Sequence, residues 1–205
     1  VYAADLAHFV CKSSITGKAL ERVSIAELEQ LLERTYPDLN LEAAVEELES
    51  QLDRFQVYEA LLLPLENVQQ SRKYHPEGDA LYHSLQVFDL ARDELPYDEE
   101  FLLAALLHDV GKAIDAGDHV SAALEALEDL ITERTAWLIL HHMQAQRILD
   151  GELGIRAKRR LRANDSYEEL LLLARCDRDG RVPGAPAPEL DEALDYVREL
   201  SQTFG

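Results

Sequence analysis

Seven histidines occur in the chain, and five of them, His83, His108, His119, His141 and His142, fall where amphipathic segments meet. Asp109 follows His108 directly, at the end of the apolar run from Phe101 to Leu107. A carboxylate facing a core costs free energy unless it is paired or bound to a metal. Asp177 repeats that placement at the end of the run Leu170 to Ala174. His83 lies beside Val87 and Leu90, on the inner face of its own helix. One histidine alone is most often a hydrogen-bonded or surface residue, because a metal site needs convergent ligands. The whole set is a different matter. Imidazole and carboxylate together suit Mn, Fe, Zn, Ni or Co, and carboxylates also suit Mg. Lys112, one turn past Asp109, could neutralise charge developing on a phosphoryl oxygen, or simply favour a helix C-terminus.

These residues need helices to place them, and the sequence supplies helices almost throughout. Leu, Ala and Glu dominate, and only nine Gly and seven Pro interrupt 205 residues. Unbranched side chains lose little rotamer freedom in a helix, and no stretch alternates with period two. Ser24 and Glu27 read as a capping box before Leu28, Leu31 and Leu32, with Pro37 after that helix. Asn40 then caps a long helix carrying the stripe Val45, Leu48, Leu52 and Phe55, which ends near Pro64. That stripe is a core face or, less commonly, a dimer seam that would make a homo-oligomer.

Pro76 and Gly78 break the chain, and a helix from about Ala80 to Arg92 follows. Asp98, Glu99 and Glu100 open the next helix, where negative charge suits the dipole, and Gly111 is expected to stop it. Further helices are predicted over about 119–131, 133–148, 166–176 and 188–202, the third opening with a capping box of Ser166 and Glu169. The reading is an all-α bundle, 74–205, with a helical N-terminal extension over 1–73. Trp137 and the set Leu190, Leu194, Val197 and Leu200 read as core, and His8 and His75 are not expected to be ligands.

The formal net charge is −20, which repels polyanions and makes duplex nucleic acid a poor partner. Against that average, Arg156, Lys158, Arg159, Arg160 and Arg162 form a basic cluster. They could draw a nucleotide or RNA phosphate toward the metals, although a solvated helix face is the commoner role for such a run. Cys11 and Cys176 show no pairing pattern, which fits a reducing cytoplasm. No apolar run is long enough to span a bilayer, so no membrane partner is expected. The chain begins at Val1, as it would if an upstream piece had been removed.

The order His83, His108-Asp109, Asp177 resembles the signature of the HD superfamily of metal-dependent phosphohydrolases, over roughly residues 74 to 182. His75-Pro76-Glu77-Gly78-Asp79, Ala105 to Lys112, and Asp177 with Gly180 and Arg181 are similar to segments of HD domains associated with bacterial tRNA nucleotidyltransferases. The resemblance implies an all-helical HD bundle with one or two divalent ions. It implies that Asp109 and Asp177 share or bracket them, with His83 and His108 on one and His119 and His141 on the other. Adjacent helical residues point about 100° apart, so His141 and His142 need not both be ligands. The pair is similar to that of the HD-GYP cyclic-dinucleotide phosphodiesterases, but Met143-Gln144-Ala145-Gln146 stands where Gly-Tyr-Pro would follow. No paired-Asp nucleotidyltransferase signature is present either.

The implied activity is hydrolysis of a phosphomono- or phosphodiester, in a nucleotide or related small substrate, by a metal-activated water. An RNA end is the less favoured substrate. A di-iron oxygenase and a non-catalytic regulatory HD domain are the alternatives that share these ligands.

Overall fold

A computed structural model describes residues 53–70, 76 and 78–204. The capping box of Ser24 and Glu27, most of the Val45 stripe, His8, Cys11 and His75 lie outside the described residues, as does most of the expected extension over 1–73. Contacts divide the chain into two units, Val1–Asp53 and Arg54–Gly205, and every described helix belongs to the second.

The helices are α1 (Arg54–Leu62), α2 (Ala80–Glu94), α3 (Glu99–Leu107), α4 (His119–Ala126), α5 (Glu133–Leu149), α6 (Ile155–Leu161), α7 (Tyr167–Asp179) and α8 (Leu190–Phe204). Short 3-10 turns follow α1, at Leu63–Asn67, and α3, at Val110–Ala113. The described residues contain no strand, only an isolated antiparallel bridge between Gln69 and Asp79. The fold is all-α. Among the described residues, no helix is long and apolar enough to cross a membrane.

Helix α3 is the axis of the bundle because its sequence is apolar all round. Phe101 through Leu107 are buried without exception. Each fully buried Leu or Phe contributes roughly 1.5–3 kcal/mol relative to exposure, so this helix anchors the fold. Helices α2, α5, α7 and α8 pack around it. Helix α8 shows the expected single stripe, with Ala193, Leu194, Val197 and Leu200 buried. Phe55, the described end of the N-terminal stripe, is likewise core.

Asp98 caps α3 by accepting a hydrogen bond from the Phe101 amide, 3.1 Å away. Its carboxylate also takes both arms of Arg134 from α5, each at 2.7 Å. Burial alone would raise the Asp98 carboxyl, but Arg134 and the Phe101 amide hold it below its ordinary value of 3.8. A carboxyl lowered on folding stabilises fully above its unfolded value and loses that contribution as pH falls below it. Asp98→Ala should therefore cost about 2 kcal/mol at pH 7, from cap and ion pair together. In urea titrations the gap between variant and parent should narrow as pH drops below about 4.

Three local expectations change. The helix expected over 119–131 ends at Ala126, and Asp129 takes a left-handed φ of 63° that no helix accommodates. The basic cluster forms a helix of its own, α6. Ser166 precedes α7 but makes no capping hydrogen bond with its side chain. Its hydroxyl instead accepts from Arg134 Nε at 3.3 Å, and Glu169 lies 3.9 Å from the same guanidinium. The capping-box residues are drawn into the Arg134 network.

Candidate metal centre

The apolar α3 carries His108 and Asp109 into the middle of the bundle and stops there. Helix α3 ends at Leu107 with His108 as its C-cap, and Asp109 has φ −110° and ψ 4°, the sparsely populated bridge conformation. The next turn is 3-10: Val110 and Gly111 stay buried in it, and the chain reaches the surface at Ile114. Gly111 does not stop α3 but lets α4 close upon this turn. A Cβ on Gly111 would sit 1.9 Å from the His119 carbonyl oxygen and 2.7 Å from the Ala123 amide. That close approach brings His119 to Asp109.

The two oxygens of the buried Asp109 carboxylate face different partners. Oδ2 lies 3.2 Å from His108 Nε2 and 4.0 Å from His83 Nε2, and it accepts from Lys112 Nζ at 2.6 Å. Oδ1 lies 3.7 Å from His119 Nε2 and 4.0 Å from His142 Nε2. Two ligand groups result, His83 with His108 and Asp109, and Asp109 with His119 and His142. Asp109 belongs to both.

The outer nitrogens of the rings fix their orientation. His108 Nδ1 donates to the Ala105 carbonyl at 2.9 Å, His142 Nδ1 to Ile139 at 2.7 Å, and His83 Nδ1 to Gly180 at 3.2 Å. A ring that donates from Nδ1 presents the Nε2 lone pair on its other side, the arrangement that metal-bound imidazoles use. Nε2 of His108, His119 and His142 is buried without a hydrogen-bond partner in the described protein. Three unsatisfied buried nitrogens in one place are costly unless something binds them. His83 Nε2 faces Asp177 Oδ1 at 3.1 Å, acceptor against acceptor when Nδ1 carries the proton. A cation held between them relieves that repulsion. The donor set fits divalent metal.

The charge states agree with that fit. Burial would raise the Asp109 carboxyl, but His108 and the ammonium of Lys112 hold it well below the usual carboxylate range. Asp177 is likewise pulled down against its burial by His83, His108 and Arg181. Burial and the neighbouring His108 lower His142 to about 4, so its ring is neutral at physiological pH. Burial also lowers His119, with Lys112 and His108 adding to the effect and Asp109 opposing it.

Asp177 lies in the last turn of α7 and is oriented from both sides. Gln146 Nε2 donates to its Oδ2 at 2.7 Å, and Arg181 Nη2 to its Oδ1 at 2.8 Å. Gln146 is held in turn by Arg178, which donates to Gln146 Oε1 at 3.1 Å and to Asp150 at 2.8 Å. Lys112, Gln146, Arg178 and Arg181 line a cavity of about 530 Å³ together with Asp109, Asp150 and Asp177.

The expected ligands His83, His108, Asp109, His119 and Asp177 thus lie together, and so does one member of the histidine pair. His142 is that member; His141 is not. The 100° step between adjacent residues turns His141 onto Trp137, their rings edge to face at 5.0 Å. The resemblance implies His141 on the second ion, whereas the ring that faces Asp109 Oδ1 is that of His142, 4.0 Å away. Lys112 is already paired with Asp109 and with Gln70 Oε1, 2.7 Å away. Gln146 and Arg178 were missed. Gln146 follows His142 by four residues, the spacing of one helix face, which was the available signal.

A model of the HD domain family matches residues 80–181, a stretch that runs from the start of α2 to Arg181. The chain is also similar to the Multifunctional CCA protein of Halorhodospira halophila (strain DSM 244 / SL1), at 36% identity over 119 residues. That match covers 46% of this chain and 28% of the relative's length. The matched stretch carries every residue of the two ligand groups on an all-helical frame, and residues 80–181 of this chain belong to the HD domain family of the metal-dependent phosphohydrolase superfamily.

Proposed function

We propose that the chain is a metal-dependent phosphohydrolase that cleaves a nucleotide or related small phosphate ester with water. The observation that carries this reading is the Asp109 carboxylate, whose two oxygens face separate histidine groups. His83, His108 and Asp109, with Asp177 alongside, would hold one ion, and Asp109, His119 and His142 a second. A pair of divalent ions supplies a water of lowered pKa and a clamp for phosphate oxygens.

The chain's own residues do the rest. Lys112 lines the cavity beside Asp109, where its ammonium can meet charge growing on a phosphoryl oxygen. Arg178 and Arg181 line the same cavity, paired with Asp150 and Asp177. Gln146 and Arg181 occupy opposite oxygens of Asp177 and hold its carboxylate in one orientation.

Protein stripped by a chelator and reloaded with Mn, Mg, Ni or Co is expected to hydrolyse generic phosphomono- or phosphodiesters and members of a nucleotide panel. The stripped protein should not. Metal bound without turnover across the panel, or oxygen consumption by the iron-loaded protein in its place, contradicts the reading.

A further inference from the structure

Helix α5 turns a second face, beside the one that carries His142, toward another cleft. Trp137, His141 and Gln144 stand at positions i, i+4 and i+7, one stripe of the helix. Opposite them, α6 contributes Ala157, Arg160 and Leu161, and the six residues line a cleft of about 270 Å³. None of them lines the cavity over Asp109. The cleft is therefore separate from the metal centre, although His141 and His142 are neighbours in sequence.

Its chemistry is unusual for this molecule. The chain has 40 Asp and Glu against 20 Lys and Arg, yet no carboxylate lines the cleft. Arg160 is solvent-exposed and has no carboxylate partner among the described residues. Among the described residues His141 Nδ1 is buried without a hydrogen-bond partner, and Gln144 brings its side-chain amide to the same lining. Lys158, Arg159 and Arg162 line a neighbouring depression on the other side of α6. A guanidinium, an amide that both donates and accepts, and two aromatic rings thus surround one small space. Aromatic rings flanked by cations bind bases by stacking and phosphates by charge, and an amide can read a base edge. The volume lies just under the range of drug-sized pockets, which suits one nucleotide rather than a longer ligand.

We propose that this cleft binds a nucleoside monophosphate, its base against Trp137, His141 and Gln144 and its phosphate on Arg160. The proposal needs neither bound metal nor turnover and stands apart from the hydrolysis reading.

Trp137 is the chain's single tryptophan, so its fluorescence reports on the cleft it lines. The full chain, kept metal-free with a chelator, would be titrated with AMP. A saturable change in Trp137 emission is expected. Arg160→Ala should weaken the apparent affinity about tenfold or more, the loss of one good charged contact. Gln144→Ala should weaken it less, and Arg156→Ala, on the same helix but outside the cleft, should leave it unchanged. Adenosine and inorganic phosphate, each half of the ligand, should bind more weakly than AMP. Far-UV circular dichroism of the Arg160→Ala protein should match the parent, because the side chain is exposed. No saturable change up to ~10 mM AMP, or equal weakening by Arg156→Ala and Arg160→Ala, overturns the proposal. Because the chelator silences metal chemistry, failure here would leave the hydrolysis reading untouched.

Discussion

Asp109→Asn is expected to reduce phosphoester hydrolysis by more than about 100-fold, the upper end of losses seen when only an outer partner of a metal ligand is removed. The reason lies in which oxygen does what. Oδ2 is shared by His83, His108 and Lys112, and Oδ1 faces His119 and His142. An asparagine has one acceptor and one donor group, so it can serve one histidine group and must oppose the other. The substitution keeps the size of the side chain, and the apolar α3 that delivers it is unaffected. Steady-state kinetics at saturating Mn, alongside a thermal melt, separates loss of the site from loss of the fold. A variant with near-parental turnover would show that Asp109 does not bridge.

Gly111→Ala is expected to be nearly as damaging, through packing rather than charge. The added carbon would lie 1.9 Å from a backbone oxygen and 2.7 Å from a backbone nitrogen of α4, neither of which can swing aside like a side chain. Either α4 moves away, carrying His119 off Asp109, or the fold is strained. Overpacking of this kind costs typically 1–3 kcal/mol and more where backbone is struck. Urea unfolding should show lost stability, and the protein that remains folded should bind metal more weakly. An Ala variant with parental stability and parental metal affinity would mean that α4 sits farther from the turn than its glycine contact implies.

Much of this was legible in the sequence because the decisive residues interrupt strong local patterns. Asp109 and Asp177 stand at the ends of apolar runs where a carboxylate has no ordinary reason to be, and His83 shares a face with Val87. The choice between His141 and His142 turned on the rotation of α5 about its axis, a tertiary property. A trace of it was present: Leu138, His142 and Ala145 fall on one face, and all three are buried. The early end of α4 was hidden for a different reason. Leu127 and Leu130 continue the apolar spacing past Ala126, yet Leu127 is buried after the helix has already ended. Capping was misread at Ser166 because Arg134, thirty-two residues earlier in sequence, competes for the same hydroxyl. Long-range partners of that kind leave no local mark.

The most direct test of the account is the number of ions each chain holds, counted by mass spectrometry on protein dialysed against saturating Mn and then freed of excess. Two ions per chain are expected for the parent, one for His119→Ala, and fewer than two for Asp109→Asn. A single ion in the parent, or an undiminished pair in either variant, would contradict a centre bridged by Asp109.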